Sequence, residues 1–172
     1  MPTYKIIVTG PFNSGKTQFV KTGSDIPVIE TEKNITTEDR GIKAQTTVAM
    51  DFGRVELANG DTVHLFGTPG QTRFSFMWEI LAKEMQGFIV LVDSTDSPSF
   101  PEAAELIRQF SGFVDVPYLV VANKADLAEA ASPTEIQSSI HVGADVEVVS
   151  CVALEKASVR QVIERIISII KK

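Results

Sequence analysis

Eight consecutive residues, Gly10-Pro11-Phe12-Asn13-Ser14-Gly15-Lys16-Thr17, fit the pattern G-x-x-x-x-G-K-[ST]. Successive main-chain N–H groups in such a loop converge on one anion, and a helix starting at its end adds a positive partial charge. The expected ligand is a polyphosphate. Lys16 would reach its β- and γ-phosphates as a point charge, and the Thr17 hydroxyl would sit on Mg²⁺. A second group, Asn123-Lys124-Ala125-Asp126, suggests which base the polyphosphate carries. The Asp126 carboxylate can accept from both the N1–H and the exocyclic amine of guanine, and adenine offers neither donor in that arrangement. A carboxylate left unpaired costs free energy, so the site rejects the wrong base. Asn123 would tie this loop to the phosphate loop, and the Lys124 stem can lie along the base. Alone, the tetrapeptide fits a solvated turn after a strand equally well. Its pairing with the first motif favours guanine.

The elements that must position these residues alternate along the whole chain. Thr3–Thr9 reads as a strand entering the phosphate loop, and a helix follows that fades near 21–23. Residues 24–45 show little periodicity and read as a long loop, which is either functional or misassigned. Thr46–Leu57 and Thr62–Phe66 read as strands joined at Ala58-Asn59-Gly60-Asp61, where Asn-Gly suits a type I′ turn. A turn-rich loop over 67–76 leads to a helix over 76–85. Gly87–Asp93 and Val116–Ala122 are apolar throughout, as in strands covered on both faces. A helix is expected over 98–113. Ser132, Pro133 and Glu135 mark another helix start with a capping box. Val146–Ser150 is the last strand. Val159, Val162, Ile163, Ile166, Ile167 and Ile170 form the apolar stripe of a final helix. The sum is six strands and about five helices in an α/β fold. Its sheet is mostly parallel with one antiparallel edge hairpin strand, helices cover both faces, and ligands bind beyond the carboxyl ends of the strands.

The chain has 172 residues, 44% hydrophobic and 22% charged, which suits a single domain over 1–172. A net charge of −6 argues against nucleic acid as a partner. One cysteine and two histidines argue against a disulfide or a structural zinc, and Cys151 fits a reducing compartment. No run approaches the roughly 20 apolar residues of a membrane helix. The N-terminus enters the first strand directly, and neither a Met-Gly start nor a C-terminal prenylation cysteine is present. The expectation is a cytoplasmic protein without leader or lipid anchor.

These motifs together resemble the Ras-like small GTPases, over essentially the whole chain. The resemblance implies a P-loop fold of three layers, GTP and GDP as ligands, and Mg²⁺ as cofactor. Gly10, Asn13, Ser14, Gly15, Lys16 and Thr17 match the phosphate loop, and Asn123, Lys124 and Asp126 match the guanine motif. Ser150-Cys151-Val152 stands where the family has Ser-Ala-Lys. Only Ser150 matches well, but the N–H of Cys151 could contact guanine O6. Thr47, with Thr46 as the neighbouring alternative, matches the threonine that binds Mg²⁺ and the γ-phosphate; a β-branched residue opening a strand is its plainer reading. In Gly67-Thr68-Pro69-Gly70-Gln71, Gly70 matches the glycine that meets the γ-phosphate, and Gln71 the catalytic glutamine that orients water. Two departures stand out. Gly67 replaces the aspartate that holds Mg²⁺ through water, for which Asp93 could compensate. Phe12 replaces a frequent glycine and could crowd the γ-phosphate. Gly-Pro-Phe-x-x-Gly-Lys-Thr with Phe-Gly-Thr-Pro-Gly-Gln looks like a prokaryotic branch similar to the bacterial polarity (gliding-motility) GTPases that work with Roadblock/LC7 partners.

The implied activity is a GTP switch with slow hydrolysis. Lys16 and the loop N–H groups stabilise charge and Gln71 places water. Two loops, near 41–47 and 67–76, would sense the γ-phosphate. Arg40 and Arg73 are candidate arginine fingers, though a solvated surface charge is the commoner reading of each, so a protein effector or GTPase-activating partner is implied. Phe74, Phe76, Met77 and Trp78 are either one buried helix face or an effector patch. Two rivals stand beside this reading. One is a pseudo-GTPase scaffold that binds without hydrolysing. The other is a P-loop kinase or ATPase, for which the chain offers neither lid nor acceptor site.

Overall fold

The computed structural model describes residues 2–39, 42–68, 75–142 and 146–172; for 29–39, 42–49 and 75–77 it describes the backbone alone. The chain runs β1 (Thr3–Thr9), α1 (Lys16–Gly23), β2 (Ile29–Asp39), β3 (Ile42–Glu56), β4 (Thr62–Gly67), α2 (Ser75–Ala82), β5 (Gly87–Asp93), α3 (Phe100–Phe113), β6 (Tyr118–Asn123), α4 (Pro133–Ile140), β7 (Val148–Ser150) and α5 (Lys156–Ile170). One sheet holds all seven strands in the order β2-β3-β4-β1-β5-β6-β7. β3 pairs antiparallel with β2 and β4, and every other pairing is parallel.

The expected α/β class and mixed sheet are found, with one strand more than the pattern suggested. That strand is β2, within the stretch read as a loop. Ile29 and Ile35 are the only aliphatic residues in Ile29–Asp39, so no apolar alternation marks it. Main-chain pairing with β3 over eleven residue pairs, Ile29↔Phe52 to Asp39↔Ile42, holds it at the sheet edge. Five charged residues along it suit an edge that must not pair further.

The β3–β4 connection also differs from expectation. Gly60 has φ 94°, but Asn59 does not enter the left-handed region, so the turn is not type I′. The Gly60 N–H donates to Leu57 O at 3.0 Å and the Leu57 N–H to Asp61 O at 2.8 Å. This is a three-residue loop ending in a left-handed glycine.

Helices cover both faces of the sheet. On one, Phe19 and Val20 of α1 and the stripe Val159, Val162, Ile163, Ile166 and Ile167 of α5 meet Ile6, Val8, Ile89, Leu91, Leu119 and Val121. On the other, α2, α3 and α4 bury Trp78, Phe110 and Ile136 against Phe88, Val90, Val92 and Val120. β5 is buried at every position, as its unbroken apolar run requires. At α4 the Ser132 hydroxyl accepts from the Glu135 N–H at 3.2 Å, and the Glu135 carboxylate accepts from the Ser132 N–H at 3.3 Å, so the capping box is present. The central parallel strands β1, β5 and β6 therefore end together, and the chemistry-bearing loops leave from those ends.

Candidate functional site

The phosphate loop leaves β1 and turns back at once. The Ser14 N–H donates to Pro11 O at 3.1 Å, and Asn13 takes φ 66°. Close approach fixes both ends of the loop. A Cβ at Gly10 would stand 2.3 Å from the Leu91 carbonyl, and one at Gly15 would stand 2.3 Å from Asn123 Nδ2. Lys16 opens α1 and is 9% exposed, with Nζ donating to the Gly10 and Pro11 carbonyls at 2.6 and 2.9 Å. Burial pushes its pKa down to about 8, with the Glu102 and Asp51 carboxylates acting in the opposite direction. An amine buried at this cost has a partner waiting in any polyphosphate that reaches it, since an anion restores the charged form.

Asn123 ends β6 and joins three loops. It is 2% exposed. Its Nδ2 donates to Ser14 O at 2.9 Å, and its Oδ1 accepts from the Ala153 N–H at 3.0 Å. The expected tie between the two motifs is therefore present and extends to the segment after β7. Lys124, with φ 60°, donates from Nζ to Asp93 Oδ2 at 2.7 Å and to Asn13 O at 3.4 Å. Asp126, three residues after Asn123, is exposed.

Two expectations need correction. The Cys151 N–H donates to the Ala122 carbonyl at 2.9 Å as an extension of the β6–β7 pairing, so it is not turned toward a base. The Cys151 side chain is buried, which raises its thiol pKa against a hydrogen bond from Ser158, and its role is packing. Ser150 is exposed at the end of β7, and Ala153 takes the contact with Asn123. Asp93, considered as a stand-in for the missing aspartate, is engaged elsewhere. Burial alone would raise its pKa, but hydrogen bonds from Lys124 and from the Thr95 hydroxyl and N–H hold it below the usual carboxylate range.

The carboxylate that does reach Thr17 is Asp51, the acidic position four residues after Thr47, to which no role of its own was given from the sequence. Thr17 Oγ1 donates to Asp51 Oδ2 at 2.8 Å. Asp51 lies on β3 opposite Gly67 of β4. A hydroxyl and a carboxylate beside the phosphate cradle are hard oxygen donors of the kind Mg²⁺ takes, and the nucleotide's phosphates supply the rest in such sites. Thr47 lies in β3 opposite Asn34, so residues 42–47 form strand and not the loop expected there. It is four residues from Asp51, about 13 Å along an extended chain. Gly70, Gln71, Arg40, Gly41, Arg73 and Phe74 lie outside the described residues, as do the side chains of Thr46, Thr47, Phe76 and Met77. Trp78 is buried against Phe110, with ring centroids 5.6 Å apart, and so belongs to the buried helix face. Phe12 is 64% exposed.

The description "Ras family" belongs to the family model that matches residues 5–172. The Ras and EF-hand domain-containing protein of Danio rerio is 30% identical over 145 residues, 81% of this chain but only 20% of that protein. An uncharacterized protein of Methanocaldococcus jannaschii is 30% identical over 125 residues, covering 73% of this chain and 72% of its own length. Human ADP-ribosylation factor-related protein 1 is 27% identical over 142 residues, 79% of this chain and 66% of that protein.

Proposed function

Because this chain belongs to the Ras family of small GTPases, we propose that it is a GTP-dependent switch formed by one domain over 1–172, hydrolysing GTP slowly and relying on a partner protein for speed. Family membership supports GTP binding and, in general, GTPase chemistry. The observation that carries the finer reading is Asn123, whose single buried amide holds the phosphate cradle and the base loop together. Lys16 and the loop N–H groups bind the phosphates, Asp126 takes guanine, and Lys124 flanks the base with Asp93 setting its position.

For Mg²⁺ the residues present fit, with Thr17 and Thr47 as the proposed protein ligands. Held there, Mg²⁺ would supply positive charge against the phosphates as negative charge develops on them. Gln71 is proposed to orient the attacking water. Residues 42–47 would have to leave their pairing with β2 to bring Thr47 to the γ-phosphate, so the β2–β3 hairpin and the loop after Gly67 are the proposed moving parts. An effector or GTPase-activating protein, of Roadblock/LC7 type if the prokaryotic polarity branch is the right one, would recognise them. No described helix is long and apolar enough to cross a membrane. We place the protein in the cytoplasm.

Equilibrium binding of GDP, GTP and ATP tests the ligand. Micromolar or tighter binding of guanine nucleotides with no competition by ATP is expected, and equal binding of ATP rejects the assignment. The exposed Phe12 and the glycine at position 67 favour a second reading, a scaffold that binds GTP without hydrolysing it. Single-turnover hydrolysis separates the two. Phosphate release that rises with Phe12→Gly or with an added partner supports the switch, and none under any of these conditions supports the scaffold.

A further inference from the structure

We propose that Asp25 and Arg160 clamp one half of β3, so that the nucleotide-dependent movement is a hinged opening of the other half and not a slide of the whole strand. The inference rests on the switch reading above and assigns the hinge that reading lacks. β3 is held unequally along its length. Residues 51–56 pair with β4, whereas among the described residues 42–50 pair with β2 alone. That outer stretch is a two-stranded ribbon beyond the rest of the sheet, and such a ribbon is marginally stable by itself.

The inner stretch is gripped on its other edge as well. β2 starts at Ile29, opposite Phe52, so it does not cover β3 beyond that residue. There Arg54 and Glu56 turn their main-chain groups away from β4, because the bond from the Leu57 N–H to the Asp61 carbonyl sets the alternation of the ladder. Each of these groups has a partner. The Arg54 N–H donates to Ser24 Oγ at 3.0 Å, and the Arg54 carbonyl accepts from the Asp25 N–H at 2.7 Å. The Glu56 N–H donates to Asp25 Oδ2 at 2.7 Å, and the Glu56 carbonyl accepts from Arg160 Nη1 at 2.9 Å. Arg160 Nη2 donates to Asp25 Oδ1, which joins the two grips into one. Lys156, one turn earlier on α5, lies 3.4 Å from the same oxygen. A one-residue shift of β3 would turn the gripped groups away from the clamp, so the clamp fixes register. Arg160 belongs to the helix whose apolar stripe fills one core, and it acts as a positioning residue that ties β3 to that core.

The rival role is stabilisation alone, with the clamp holding the fold alike in every nucleotide state. Amide hydrogen exchange on the full chain separates the two, read by mass spectrometry with GDP and with a non-hydrolysable GTP analogue. In the wild type, exchange over residues 42–50 is expected to differ at least about 10-fold between the two nucleotides, as for a segment that opens locally, with residues 53–57 unchanged. Arg160→Met keeps most of the side chain's length but removes its bonds to Glu56 and Asp25. The nucleotide-dependent difference is then expected to spread into 53–57, at about 10-fold, the loss of one bond to a charged group. Asp25→Asn keeps an acceptor for the Glu56 N–H and weakens the pair with Arg160. It should give a smaller spread in the same direction, and it tests the same point if Arg160→Met does not fold. A wild type whose exchange over 42–50 ignores the nucleotide, or changes alike over 42–57, overturns the inference. So does a variant in which 53–57 stays unchanged, or exchanges faster by the same factor with both nucleotides, which marks the stabilising role. A chain that binds guanine nucleotide and gives one of these results refutes this inference alone, whereas a chain that binds none refutes the functional reading and this inference with it.

Discussion

At the base end of the site, Asn123 is 2% exposed and bonded through both ends of its amide, and Lys124 is held by Asp93. At the end proposed to hold the metal, Thr17 is exposed and is held by one bond to Asp51, on a strand that continues past it to Thr47. A buried amide with two partners has one arrangement, because losing either bond strands a polar group away from water. An exposed hydroxyl can exchange its carboxylate for water or a metal at little cost. On the proposed reading the difference separates two tasks: recognition falls to the part that cannot rearrange, and phosphate sensing to the part that can.

The largest effect should come from the base end. Asp126→Asn removes the carboxylate proposed to accept two hydrogen bonds from guanine. At about 1.5–3 kcal/mol each for bonds to a charged group, GDP affinity should fall about 10²- to 10⁴-fold in calorimetric titration. An unchanged affinity would move guanine recognition away from this end. Asn123→Ala comes next. It orphans the Ser14 carbonyl and the Ala153 N–H, each worth about 1–3 kcal/mol in urea unfolding. Thr17→Ala should cost under about 1 kcal/mol in the same assay, since its hydroxyl is exposed. Equal losses in the two variants would break the contrast between the ends.

Lys16 gives a pH signature of the cradle between them. Its folded pKa of about 8 lies below the ordinary 10.5. Between those values the unfolded chain binds more protons at this residue than the folded one, so without nucleotide stability should rise with pH across that window. The full rise is about 3 kcal/mol, from the size of the shift. Lys16→Met should remove this rise, seen as urea midpoints that no longer climb above pH 8 relative to wild type. The smallest effect is expected at Asp93→Asn. The Lys124 side chain is 37% exposed, so solvent screens the pair. GDP affinity should fall by no more than about fivefold. The stabilisation from this pair is present above the unfolded carboxylate pKa and fades as pH falls through the depressed folded value. The stability difference from wild type should therefore vanish in strong acid.

Much of the architecture at the proposed base end was readable in advance, because its motif follows directly on a buried strand. Asn123 meets the phosphate loop as its spacing implied, and the buried strands β5 and β6 carry unbroken apolar runs. Cys151 was misread because the sequence cannot tell how far the β6–β7 pairing extends. At the metal end, the obstacle was one residue of register. A type I′ turn at Asn59-Gly60 would pair Ala58 with Asp61 and set Phe52 opposite Gly67. The three-residue loop pairs Leu57 with Asp61 instead and sets Asp51 there. A one-residue slip moves every side chain to the other face, so the turn geometry decided whether an acid or a ring faced Gly67. β2 was hidden for another reason, since main-chain pairing at an edge leaves no mark in hydrophobic periodicity.

The Asn123 amide spans Ser14, 109 residues before it, and Ala153, 30 residues after it. A ribosome delivers the phosphate loop long before Asn123, and the tie among the three loops is complete only once Ala153 follows. At about 5–20 residues per second, several seconds separate the first piece of the site from the last. On the proposed reading, firm capture of nucleotide falls at the end of that interval. A bound nucleotide is then a record that synthesis has passed Ala153 and that the loops after β1, β6 and β7 have met.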